Sequence, residues 1–281
     1  MIAQQFTQQQ LIAMLAWQVE MGADEAVLDK PSHDLQAPQS SDDICGPTPT
    51  PVSVASHQPS APTSTAPSAS PALAPAPQNQ TVPVHLHHIG SLSDLATALG
   101  QLDSCPLKHT ASTMCFADGN AGARLMIIGE APGRDEDRLG VPFVGAAGQF
   151  LDHMLASIGL DRSGVYLTNF LPWRPPGNRS ATAEETDMLL PYLYRHIQLA
   201  NPELVVILGG MPAKTMLKSD DNILKLRGRW QDIDYGDGVM RPTMASLHPA
   251  YLMRSPAQKR LAFEDWCGLY HRLGNTPPPL A

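Results

Sequence analysis

Apolar residues along this chain gather into short unbroken runs that alternate with longer stretches of helical spacing. Arg124 to Gly129, Val165 to Asn169, Leu204 to Leu208 and Thr243 to Leu247 are strand-length and nearly continuous in apolar character, as strands buried on both faces should be. Between and after them, Ala147 to Ile158, Glu184 to Ala200, Met211 to Leu217 and a stretch around Gln258 to Leu273 read as helices. Upstream, Ser91 can cap a helix running through Leu102, with Leu92, Leu95 and Leu99 on one face. Strand, loop and helix in repetition predict an α/β fold of three α/β/α layers around a four-stranded, mostly parallel central sheet. In such a sheet, loops beyond the carboxyl ends of the strands converge on one crevice.

The first third of the chain follows a different pattern. Phe6, Leu11, Leu15 and Val19, widened by Ile12 and Trp17 and stopped by Gly22, predict a short amphipathic helix within residues 1–30. Of the 27 prolines, twelve lie between Pro31 and Pro83 among Ala, Ser and Thr, a composition that cannot bury enough apolar area to repay ordering. Residues 31–84 are therefore expected to be a disordered, partly extended tether, and residues 85–281 the globular domain. The net charge of -8 divides the same way. Residues 1–84 hold one Lys and seven acidic side chains, whereas the remainder is near neutral, with 18 basic and 20 acidic. Near-neutrality permits a local phosphate-binding stripe, for which Lys214, Lys218, Lys225, Arg227 and Arg229 are candidates; a solvated helix and loop is the alternative.

No run of 18 apolar residues and no signal-peptide order occurs, so a cytoplasmic protein without membrane contact is expected. The four cysteines, at 45, 105, 115 and 267, show no Cys-x-x-Cys spacing and predict neither a zinc knuckle nor a disulfide framework.

Polar tips close two of the apolar runs: Gly129-Glu130-Ala131-Pro132-Gly133 and His248-Pro249-Ala250-Tyr251. The first lacks the Lys-Ser or Lys-Thr of a phosphate loop and the glycine spacing of a dinucleotide fingerprint, and Gly209-Gly210 fails both tests as well. Phe143, between Pro142 and Gly145, is placed to stack a planar ligand or to serve as core. Asn169, at a strand end, offers a donor and an acceptor together, although a turn would also want it.

Taken together, Gly129 to Gly133, Arg138-Leu139-Gly140-Val141-Pro142-Phe143-Val144-Gly145-Ala146-Ala147-Gly148-Gln149, Thr168-Asn169, Arg174-Pro175-Pro176-Gly177-Asn178-Arg179 and His248 to Arg254 resemble the family 4 (thermostable-type) uracil-DNA glycosylases over about residues 100 to 270. The resemblance implies a monofunctional base-excision repair enzyme that flips uracil out of DNA and hydrolyses its N-glycosidic bond. It implies that Phe143 stacks on the uracil and that Asn169 reads its N3 and O4 edge. Glu136 would stand where thymine's methyl group must go. Glu130, beside the Ala131 backbone, would orient or activate water, and His248 would face uracil O2. Leu252, Met253 and Arg254 would form a loop entering the duplex, and Arg174, Asn178 and Arg179 a phosphate clamp.

One part of the resemblance fails. Members of the family usually hold an iron–sulfur cluster on four cysteines. Matching the motifs places those positions at Leu102, Cys105, Trp173 and Leu189, of which one is cysteine. No cluster and no metal are therefore expected, a hydrophobic plug taking the place of ligation. Competing readings are a non-catalytic DNA-binding or polymerase-associated module of the same fold, a glycosylase of broader deaminated-base range, and a small-molecule nucleotide hydrolase. The expected partner is uracil-containing DNA, met by a monomer acting at the bacterial nucleoid. The N-terminal segment either recruits a replication or repair protein or folds back on the catalytic domain.

Overall fold

The computed structural model describes residues 84–274. The predicted helix within residues 6–21 and nearly all of the tether lie outside the described residues. A four-residue helix α1 (Val84–His87) leads to α2 (Leu92–Gly100), where Ser91 caps as predicted by accepting the Asp94 N–H at 3.1 Å, and then to α3 (Pro106–Thr110).

Six strands form one sheet: β1 (Asp118–Gly119), β2 (Leu125–Gly129), β3 (Val165–Asn169), β4 (Leu204–Leu208), β5 (Trp230–Asp234) and β6 (Met240–Ser246), in the order β1-β3-β2-β4-β6-β5. The inner four, β3-β2-β4-β6, are mutually parallel and are the four predicted strands. Each edge carries one antiparallel strand that the apolar pattern did not predict, so the expectation of four strands is corrected to six. The reason lies in the edges themselves. β1 is two residues long, and β5 reads Trp-Gln-Asp-Ile-Asp and is partly exposed; polar, charged strands of this kind suit a sheet edge, where an apolar run would invite pairing with another chain.

Helices cover both faces. On one side Leu125, Ile127, Val206 and Leu208 pack beneath α5 (Ala146–Ser157) and α10 (Lys259–Arg272), through Leu151, Met154, Leu155 and Trp266. On the other, Met126, Ile128, Val205 and Ile207 meet α2, α6 (Ala183–Ala200) and α7 (Gly210–Leu217), through Leu99, Leu193, Ile197 and Met216. Successive strand residues thus alternate between two cores, which is why the runs read as continuously apolar. Thr182 and Glu185 start α6 with a reciprocal capping box. Short helices α4 (Arg134–Leu139), α8 (Ile223–Leu226) and α9 (Pro249–Arg254) sit in the loops beyond the strand ends. Among the described residues no helix is long and apolar enough to cross a membrane.

Candidate active site

The parallel register brings Gly129, the last residue of β2, beside Asn169, the last of β3. Gly129 cannot carry a side chain there. A Cβ would lie 2.3 Å from the Asn169 Oδ1 and 2.6 Å from the Phe143 ring, so the amide, the ring and the glycine are packed against one another. At the end of β6 follows His248, whose ring lies 6.1 Å from that of Phe143 with 24° between their planes. These groups open onto a cavity of about 450 Å³ beyond the strand ends. Glu130, Ala131, Glu136, Phe143, Asn169, Asn178, Arg179, His248 and Arg254, nine of the residues singled out in the sequence, line it. Pro175, Gly209, Gly210, Ile223 and Tyr251 are among the other residues of its wall and had not been assigned a pocket role. Pro175 and Tyr251 lie within the quoted motifs and Gly209-Gly210 forms a glycine turn between a strand and a helix, whereas Ile223 carried no signal in the sequence.

Phe143 holds a left-handed backbone, φ +56°, a conformation worth about 1–3 kcal/mol of strain for a residue with a side chain. Glu136 helps to hold it. The Glu136 Oε1 accepts the N–H groups of Val144 at 3.1 Å and Gly145 at 2.9 Å, so this carboxylate fixes the loop that carries the ring as well as lining the cavity.

His248 is the N-cap of α9, and its Nδ1 accepts the Ala250 N–H at 3.1 Å. A nitrogen that accepts cannot carry the proton, so the neutral ring bears it on Nε2. Withdrawal from water into the cavity wall, with the nearby Arg254 charge, pushes the imidazole pKa down to about 4. At neutral pH the cavity therefore faces an uncharged donor. Glu130 shifts the other way, its carboxyl pKa raised by burial. Its Oε2 would lie 3.5 Å from a Cβ at Gly209, and the His248 Cβ 3.8 Å from that same point, so acid and imidazole flank one glycine. A carboxylate of raised basicity opposite a fixed neutral donor can accept a proton on one side of a reacting bond while the other side receives charge.

Other assignments change. Leu252 is fully buried in the core beneath α9, so it cannot enter a duplex; the predicted loop is a helical turn whose exposed apolar tip is Met253, 46% exposed. Arg174 lies outside the cavity wall and donates to the Asn178 Oδ1 at 2.8 Å. Arg179 reaches the cavity but forms a two-pronged ion pair with Glu185 at 2.6 and 2.8 Å. In the basic stripe, Arg227 is not a surface cation: it is paired with the buried Asp265 at 2.7 Å and ties α10 to the loop before β5. Nothing in the linear charge pattern distinguishes that pair from solvated charges.

The four positions matched to cluster ligands do not suit an iron–sulfur centre. Cys105, Trp173 and Leu189 are buried in one apolar core, against which Leu102 packs. Leu102, Trp173 and Leu189 offer iron no ligand atom, so Cys105 is the one thiol among the four positions. Cys115 is spent elsewhere, its thiol donating to the Glu136 carbonyl at 3.0 Å with its pKa pushed up to about 12. Among the described residues no group of three or more His, Cys, Asp or Glu could hold a metal ion.

Residues 116–267 match the family model described as the uracil DNA glycosylase superfamily. The chain is similar to the type-4 uracil-DNA glycosylase of Archaeoglobus fulgidus, 36% identical over 195 residues, which is 68% of this chain and 97% of the relative. It is also similar to the type-4 uracil-DNA glycosylases of Pyrobaculum aerophilum (35% over 169 residues, 59% of this chain and 86% of the relative) and Thermotoga maritima (34% over 165 residues, 58% and 84%).

Proposed function

The chain belongs to the uracil DNA glycosylase superfamily, among its type-4 members, and on that premise we propose how its cavity removes uracil from DNA. The protein is a DNA repair glycosylase, a hydrolase of N-glycosyl bonds, with uracil-containing DNA as substrate. One observation carries the reading of the site: Glu130, Phe143, Asn169 and His248, from four separate loops or strand ends, line one cavity.

Uracil stacked in a duplex is out of reach, so the nucleotide rotates out at a cost of roughly a few kcal/mol. Met253, the exposed apolar tip of α9, occupies the vacated stack. The extruded base lies against Phe143, whose stacking contributes about 1–3 kcal/mol. Asn169 accepts from uracil N3–H and donates to O4 through its amide. Glu136 closes the side where a 5-methyl group would project, so thymine is excluded. The bond between N1 and C1′ then breaks, its electron pair leaving with the uracil ring and positive charge developing on the sugar. His248 donates its Nε2–H to O2 as that oxygen becomes anionic, and needs no net charge to do so. Water adds to C1′ as Glu130 takes its proton; the uracil anion takes up one proton from solvent on release while Glu130 gives its proton back to solvent, and the products are free uracil and an abasic site. Arg254, at the cavity wall, faces the phosphates, with the Arg174–Asn178 pair on the neighbouring loop beside it, whereas Arg179 is held by Glu185 and serves the loop's shape.

We further infer that the protein carries no iron–sulfur cluster and that apolar packing of Leu102, Cys105, Trp173 and Leu189 stabilises the fold where relatives use ligation. The pure protein should be colourless, and stoichiometric iron would refute this. The enzyme is taken to act as a monomer on nucleoid DNA in the cytoplasm. Activity is tested with a labelled oligonucleotide bearing one uracil, treated with alkali to cut at abasic sites. Strand breaks at the uracil are expected; none above the blank would end the catalytic reading.

A further inference from the structure

The Phe143 backbone at φ +56° persists only because its surroundings over-determine it. Two of the restraints belong to the pocket segment: the Glu136 carboxylate on the next two N–H groups, and Gly148, where a Cβ would fall 1.7 Å from the Phe143 carbonyl oxygen. The third comes from outside it. Arg162, on the turn before β3, donates from its Nη2 to that same carbonyl oxygen. Its guanidinium is fixed by two carboxylates, Asp152 on α5 at 2.9 and 3.2 Å and Asp118 on β1 at 2.7 Å. Arg162 does not line the cavity, and so touches neither base nor phosphate there.

We propose that Arg162 is a positioning residue of the base pocket that acts through Phe143. The two aspartates orient the planar fork, and its remaining direction is spent on the one carbonyl whose orientation sets the stacking ring. Without that bond the peptide after Phe143 is free to rotate toward an ordinary extended or helical conformation, which carries the ring off the base plane. Lysine cannot substitute fully, since a single ammonium does not span two carboxylates and a carbonyl in fixed geometry. This inference rests on the cavity being a uracil pocket, and its test separates the two.

Single-turnover cleavage of a uracil oligonucleotide is measured for the wild type, Arg162→Gln, Phe143→Ala and the double variant. Stacking of the strength quoted above corresponds to roughly 5–150-fold, so Arg162→Gln should slow cleavage at sub-saturating enzyme by about tenfold, mostly through weaker binding. In the Phe143→Ala background the same substitution should change the rate by less than about twofold, because the ring it positions is gone. Arg162→Lys should fall between. A loss from Arg162→Gln that is equal in both backgrounds would reduce Arg162 to a general staple and overturn the proposal, as would an unaltered rate. A second readout needs no turnover: fluorine NMR of protein labelled with 4-fluorophenylalanine, the Phe143 line assigned by Phe143→Leu. One sharp line in the wild type should broaden or split in Arg162→Gln. An unchanged line would also overturn the proposal, whereas an inactive wild type with the expected line change would sink the glycosylase reading and leave Arg162 as the anchor of the ring.

Discussion

His248 and His196 are both withdrawn from bulk water, and both imidazoles are pushed below their usual basicity, to about 4 and about 3. They do different work. His196 lies on α6 with its Nε2 bonded to the Tyr166 hydroxyl at 2.8 Å and its ring stacked on Phe116 at 4.4 Å, beside a void of only about 20 Å³. His248 spends its Nδ1 on its own helix cap and faces a space of about 450 Å³. A depressed pKa thus marks burial in both regions, and only one of the two rings borders the cavity to which we assign the chemistry. The distinguishing feature is a donor left over after the local hydrogen bonds are counted, aimed into a space that admits a ligand.

The comparison breaks most sharply at the cavity. Glu130→Gln should lower single-turnover cleavage by about 10²–10⁴-fold, the range for a lost general base. The wild-type rate should fall as pH drops through the raised Glu130 pKa, because the carboxylate must be ionised to take a proton from water, and that acid limb should vanish in Glu130→Gln. His248, neutral down to about 4, adds no limb above that pH. A pH-independent wild-type rate from pH 4 to 8 would remove Glu130 from its role. His248→Ala should cost about 10²–10³-fold in the chemical step, as loss of a donor to a developing anion does, with little change in affinity for uracil DNA in a binding assay.

A smaller effect is expected of Asn169→Asp, about 10–100-fold in kcat/KM, since a carboxylate offers no donor to uracil O4; full activity would reassign the reader. The smallest kinetic effect is expected at the other histidine. His196→Phe should leave cleavage within about twofold, yet lose roughly 1–3 kcal/mol of stability by stranding the Tyr166 hydroxyl, read as a lower Tm. Because the folded-state pKa of His196 lies below its unfolded value near 6.5, its contribution is complete above that value and fades as pH falls toward about 3. The variant should therefore lose less stability than the wild type across that window. A tenfold loss of cleavage in His196→Phe would erase the distinction between the two histidines.

Much of this was legible in the chain. The four central strands, the helices between them and the crevice at their carboxyl ends follow from apolar runs and spacing, which report local burial whatever lies across the core. The motif residues that converge there were named from sequence as well, because each sits at a strand end or in the loop after it. The edge strands were not legible, since polar edges carry no apolar run. Neither was the fate of individual long side chains. Leu252 turned inward, Arg227 found Asp265, and Arg162 found the Phe143 carbonyl, each through a partner distant in sequence.

The sequence by itself determined the layering, the resemblance to the family and nine of the residues at the rim, because those depend on patterns carried within a few residues. Only the tertiary structure decided which polar groups are already satisfied and which remain free. That question is settled by three-dimensional proximity between segments tens of residues apart, and the spare proton on His248 and the restrained backbone of Phe143 are both answers to it.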